Sequence, residues 1–242
     1  MGICLALFSG KGGTGKSSVA AALAQGFALR GKKTVAVDLN SGLRCLDLLF
    51  GIDDRVIFDI GDILSGKNIK DALYDAGDPT VSVIPAAQCA QTDQYALAAL
   101  IKTLRESFDA IVLDMPSGIN DSLTESLLSF GTEFIAVVNP DATSLRCASV
   151  IGANFPEGFK RPRLIINKFD YDLIKSGIYR NIDDMIDITG MQLLGIIPQT
   201  SEVALLNLNC GFKPGSRLQN AAERIVLRIC GEDCPLPDPK KI

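Results

Sequence analysis

The chain has 242 residues, 47% of them hydrophobic, with a net charge of -4 and no histidine. That length supports one substantial core and requires no second domain, and the mild acidity argues against nucleic acid or anionic lipid bound by the whole surface. Without an imidazole, Ser-His chemistry and His metal sites are excluded, so catalysis must rest on carboxylates, amides, lysines and backbone. The seven cysteines (Cys4, Cys45, Cys89, Cys147, Cys210, Cys230 and Cys234) are irregularly spaced and form no C-x-x-C, which reads as reduced core thiols. The N-terminal residues carry no secretion-type leader, and no apolar run approaches the ~20 residues of a membrane span. The expected location is cytoplasmic, at most peripheral to a membrane through a partner.

Along the chain, short apolar runs rich in β-branched residues predict buried parallel strands at 3–8, 33–37, 81–84, 110–113, 134–138, 164–166 and 193–197. Helical periodicity predicts helices at 17–30, 93–107, 121–129, 142–153, 182–188 and 216–229. The alternation implies an α/β fold, a doubly wound and mostly parallel sheet with helices on both faces, whose ligand sits at the carboxyl ends of the strands. Residues 1–230 read as one domain, and 231–242, with three prolines among positions 235–239, as an extended tail.

The first strand runs into Ser9-Gly10-Lys11-Gly12-Gly13-Thr14-Gly15-Lys16-Ser17-Ser18 and a helix follows at once, which is the G-x-x-x-x-G-K-[ST] pattern in its proper strand-to-helix setting. Glycines let backbone N–H groups converge on phosphate oxygens at the positive end of a helix dipole. Lys16 is then expected to reach the β- and γ-phosphates and the Ser17 hydroxyl to ligate Mg²⁺. A P-loop NTPase is the expected architecture.

With its extra lysine, Lys11, this loop resembles that of the MinD and ParA family of deviant Walker A ATPases. In that family the corresponding lysine crosses to the partner's nucleotide, so the resemblance implies a homodimer formed with ATP. The run from Asp38 to Gly51, Asp38-Leu39-Asn40-Ser41-Gly42-Leu43-Arg44-Cys45-Leu46-Asp47 and onward, is similar to the family's D-x-D-x-G-L-R-N-L-D segment. Asp38 keeps the family's place near Mg²⁺. Asn40 stands where the family has the Asp that orients the attacking water; an amide can hold a water but takes up no proton at neutral pH. Slow or partner-dependent hydrolysis is the expectation. The apolar run ending in Asp114-Met115-Pro116-Ser117-Gly118 resembles the D-x-P-A-G switch, which implies that Asp114 serves Mg²⁺ and that the Gly118 region senses the γ-phosphate.

Asn167-Lys168-Phe169-Asp170 spells N-K-x-D, a guanine-reading pattern in GTPases, whereas the resembled family places an Asn here beside adenine; Lys11 and the Asp38 segment favour ATP over GTP. Pro198 and Gln199, in a run like the family's G-V-I-P-E-D, are implied to border the base. The resemblance extends from Ile3 to about Cys230. It fails at the tail, which cannot make the family's amphipathic membrane helix, so membrane binding is doubtful. Lys213, Arg217, Arg224 and Arg228 suffice only for a weak basic patch, so nucleic acid is an improbable partner. The expected function is an ATP- and Mg²⁺-dependent switch in division-site placement that recruits proteins of the division machinery. The alternatives are a scaffold that binds nucleotide without hydrolysis, a ParA-like DNA-partitioning ATPase, and an enzyme coupling ATP to electron transfer.

Overall fold

The computed structural model describes residues 2–41, 43–76, 80–88, 93–118, 121–202 and 215–242. One eight-stranded sheet runs through them in the order β3-β4-β2-β5-β1-β6-β7-β8. Its strands are β1 (Ile3–Ser9), β2 (Thr34–Asp38), β3 (Tyr74–Ala76), β4 (Val81–Ile84), β5 (Ala110–Ser117), β6 (Glu133–Val138), β7 (Arg163–Phe169) and β8 (Gln192–Pro198). All pair in parallel except β3, which runs antiparallel to β4. The seven expected strands are present. The eighth, β3, is three residues long and carries no readable alternation. β5 and β7 run longer than expected because Ser117 pairs with Ser9, and Phe169 with Pro198, beyond shifts in register.

The long helices are α1 (Lys16–Leu29), α4 (Gln94–Ser107), α5 (Asp121–Ser129), α6 (Ala142–Ala153), α8 (Ile182–Thr189) and α9 (Arg217–Ile229). Five-residue helices, too short for periodicity to show, occupy α2 (Leu46–Phe50), α3 (Ile60–Leu64) and α7 (Tyr171–Lys175). Alternation along β1 sorts the core into two layers. Leu5 and Leu7 face α1, α2 and α9, while Cys4, Ala6 and Phe8 face α4, α5, α6 and α8. Helix α1 is buried almost all round, and its alanines let it lie between the sheet and α9. A Cβ on Gly195 of β8 would come within 2.3 Å of Ile225, so α9 can lie this close only over glycine.

Both outer strands carry an arginine on a main-chain carbonyl. Arg55 donates to Asp75 O of β3 at 3.2 Å, and Arg228 to Leu193 O of β8 at 3.3 Å. The tail departs from the wholly extended form expected. Residues 232–238 lack regular structure, but Pro239–Lys241 forms a 3₁₀ turn, since Pro suits the first turn position and Asp238 caps the Lys240 amide. Ile242 packs against the core. No helix among the described residues is long and apolar enough to cross a membrane. Cys89, Cys210, Lys213 and Gly42 lie outside the described residues.

Candidate functional site

Because β5 pairs with both β1 and β2, the carboxyl ends of these three strands lie side by side, and Asp38 and Asp114 sit level in the register. Above them opens a cleft of about 360 Å³. Residues 12–18 form one part of its lining and Asn40, Leu43, Cys45, Leu48 and Leu49 another, with Ser9 and Ser117. The loop turns through Gly13 (φ 78°) and Gly15 (φ 85°), conformations that glycine takes without penalty. Gly15 caps α1 in the left-handed conformation, and no side chain bonds the first-turn amides. By contrast α4, α6, α8 and α9 carry Asp, Asn or Ser caps. The α1 terminus therefore keeps free donors and an unopposed dipole, the physical requirement for holding an anion.

Beneath the loop lie one buried lysine and two buried carboxylates. Lys16, 5% exposed, donates to Asp114 Oδ1 at 2.5 Å. Asp114 is fully buried, and its Oδ2 has no partner among the described residues. Burial pushes the Asp114 carboxyl up, against the opposing pull of Lys16 and the Ser17 hydroxyl. Asp38 accepts from the amides of Asn40 (2.9 Å), Cys45 (2.8 Å) and Leu46 (3.0 Å). Its pKa is nonetheless raised to about 6, by burial first and by Asp114 second. The Cys45 thiol, hydrogen-bonded to Ser17, is raised by burial and then by the two carboxylates, which makes it a poor nucleophile.

The expected residues divide into two groups. Gly12, Gly13, Thr14, Gly15, Lys16, Ser17, Ser18 and Asn40 line the cleft, with Asp38 buried at the end of β2 and Asp114 buried level with it in β5. Gly10, Lys11, Asn167, Pro198 and Gln199 do not line it. Gly10 lies so close to α6 that a Cβ would meet that of Cys147 at 2.5 Å. Lys11 points away to Asp141, at 3.3 Å from its Oδ1, and is 42% exposed. Asn167 Nδ2 donates to Thr14 O at 2.7 Å and Lys168 Nζ to Gly13 O at 2.8 Å. Asp170 Oδ1 accepts the Asp172 and Leu173 amides, capping α7. Pro198 is buried at the end of β8, and Gln199 lines a separate polar hollow with Tyr171, Arg217 and Lys240.

Sequence reasoning missed Leu43, Cys45, Leu48 and Leu49 as lining, Asp141 as the partner of Lys11, and Lys168 as a contact of the loop. The lining residues lay within the quoted run after β2 and were available to it. Asp141 sits 130 positions from Lys11, and no local pattern joins the two.

The model of the CobQ/CobB/MinD/ParA nucleotide binding domain matches residues 5–209. The septum site-determining protein MinD of Bacillus subtilis is 31% identical, over 98% of this chain and 92% of that protein. Among solved structures, a chain of the MinC:MinD cell division protein complex of Aquifex aeolicus superposes with a TM-score of 0.87 at 27% identity, covering 98% of this chain and 99% of that one. MinD of Pyrococcus horikoshii complexed with Mg-ADP gives 0.80 at 27% identity, covering 95% and 96%. A glycine-rich cradle, a buried lysine and two carboxylates at three adjacent strand ends thus accompany whole-chain likeness, and the chain belongs to the MinD-like cell-division ATPases of the CobQ/CobB/MinD/ParA nucleotide-binding family.

Proposed function

We propose that this chain is an ATP- and Mg²⁺-dependent dimerising switch of the MinD type, acting in placement of the division site with slow or partner-stimulated hydrolysis. One observation carries the reading. Lys16 is turned into the cleft, while Lys11, five residues earlier in the same loop, is turned out of it onto Asp141. A lysine that does not line its own cleft and stands exposed at the loop's outer side supports a role toward a second copy. Its tether is a surface ion pair, worth ~0.5 kcal/mol, so its release costs little.

The residues present suit a hard divalent cation. The donor set is two carboxylates, one with an orphaned buried oxygen, and a hydroxyl, with no cluster of three His, Cys, Asp or Glu among the described residues. Mg²⁺ needs few protein ligands when phosphates and water supply the rest. Ser17, Asp38 and Asp114 would hold it, and when bound with nucleotide it supplies neutralisation of the phosphate charge. The protein's own part is positional. The cradle amides and Lys16 bind phosphate oxygens, and Lys16 leaves Asp114 to do so. Asn40 lines the cleft, where its amide can hold a water in line; without a carboxylate it adds neither charge nor a proton acceptor, and turnover is slow.

Proteins of the division machinery are the fitting partners, as in the Aquifex MinC:MinD complex. The residues 1–230 act as the nucleotide-binding unit, in the cytoplasm. The test is the solution mass of the purified protein with ADP, with ATP and Mg²⁺, and with GTP and Mg²⁺, alongside phosphate release. A dimer with ATP alone and slow release supports the switch; a monomer under every condition refutes it. Phosphate release unchanged in Asn40→Asp would remove any role for that position.

A further inference from the structure

The last residues of β7 approach the phosphate loop from outside, and the backbone there is unusual. Lys168 has φ 54°, one of two non-glycine residues with positive φ among those described. The β7–β8 register shifts between Ile166 and Phe169, on either side of Asn167 and Lys168. Gly15 makes the approach possible, since a Cβ there would meet Asn167 Nδ2 at 2.3 Å. The outcome is that two consecutive loop carbonyls, Gly13 O and Thr14 O, are held by Lys168 and Asn167.

A trans peptide unit is planar, with its C=O and the following N–H pointing in opposite directions. Holding Gly13 O outward therefore aims the Thr14 N–H inward, and holding Thr14 O outward does the same for the Gly15 N–H. A cationic donor on the carbonyl also polarises that peptide and makes its N–H a stronger donor. Left-handed backbone favours Gly or Asn over Lys, so the conformation of residue 168 is sustained against its own preference by what the side chain reaches.

We propose that Lys168, together with Asn167, is a positioning residue for nucleotide binding, orienting the amides of Thr14 and Gly15 by gripping their peptide units from behind. The N-K-x-D run is then spent on the loop and on the α7 cap, and not on reading a guanine edge. This rests on the cleft being a nucleoside polyphosphate site.

The experiment measures ATP, ADP and GTP affinity and nucleotide-free thermal unfolding for wild type, Lys168→Met, Lys168→Gly, Lys168→Arg and Asp170→Asn. Lys168→Met and Lys168→Gly are expected to weaken ATP and ADP together by about tenfold, the scale of one charge-assisted hydrogen bond. Lys168→Gly should unfold no earlier than wild type, because glycine relieves the backbone, and Lys168→Arg should restore most of the affinity. A wild type that binds no nucleotide refutes the nucleotide site itself. A wild type that binds while Lys168→Met binds ATP equally well refutes only the positioning role, as does loss of stability in Lys168→Gly in step with its affinity. A selective loss of GTP binding in Asp170→Asn would restore the guanine reading.

Discussion

The loops after β1 and β2 border the same cleft and are held in opposite ways. The first is gripped from a distance, by Asn167 and Lys168 at the end of β7 and by the Gly118 amide on Ser9 O. The second is tied mostly to itself. Asp38 gathers the amides of Asn40, Cys45 and Leu46, and Arg44, with φ 42°, makes two bonds to Asp47. It leaves Leu43 68% and Leu48 50% exposed at the cleft. Long-range ties give a cradle that is formed before its ligand arrives; local ties give a segment that can rearrange around it without disturbing the core.

The largest expected effect comes from breaking the cradle side. Lys16→Ala leaves the Asp114 carboxylate buried without its cation, which should destabilise the nucleotide-free protein by about 3 kcal/mol at pH 7.5 in urea unfolding. The loss should shrink in acid as Asp114 takes up a proton, and ATP binding should fall by ~100-fold or more.

Next is the anchor of the second loop. The folded pKa of Asp38, about 6, lies above its ordinary 3.8, so this group's stabilising contribution is fully present below about pH 4 and is lost as pH rises through 6. The shift corresponds to ~3 kcal/mol in order of magnitude. Stability without nucleotide and Mg²⁺, compared between wild type and Asp38→Asn at pH 4 and pH 7.5, should move in the variant's favour at the higher pH. A difference independent of pH would show that Asp38 titrates normally.

Arg44→Gly removes the ion pair to Asp47 but relieves the positive φ, so the two changes oppose each other and the net shift should stay within ~1 kcal/mol. A larger loss would show that the second loop is as firmly built as the first. Smallest in stability is Lys11→Ala, at ~0.5 kcal/mol or less, since Lys11 and Asp141 are both partly exposed. The same variant should nonetheless abolish the ATP-dependent dimer in sedimentation while leaving the monomer's ATP affinity within about twofold of wild type.

The same contrast explains what the sequence disclosed. The first loop was legible because its chemistry demands fixed residue types at fixed spacing between a strand and a helix. The carboxylates Asp38 and Asp114 were legible because each ends an apolar run. The grip on the loop was not, since N-K-x-D names its residues without saying where a left-handed turn at Lys168 will send them. The Lys11–Asp141 pair depends on how β6 and the loop before α6 come to lie beside β1, which only the folded sheet determines. β3 and the five-residue helices are too short for any period to show.

The arginines on the outer strands limit how copies of this molecule can meet. A sheet with open margins can grow by adding a neighbour's strand, main chain to main chain. Here β3 is only three residues long with Asp75 O occupied by Arg55, and β8 has Leu193 O occupied by Arg228. Lateral growth is discouraged on both sides. The surface above the strand ends, where the proposed dimer would form, is left as the open route, and self-assembly by that route would be conditional on the nucleotide.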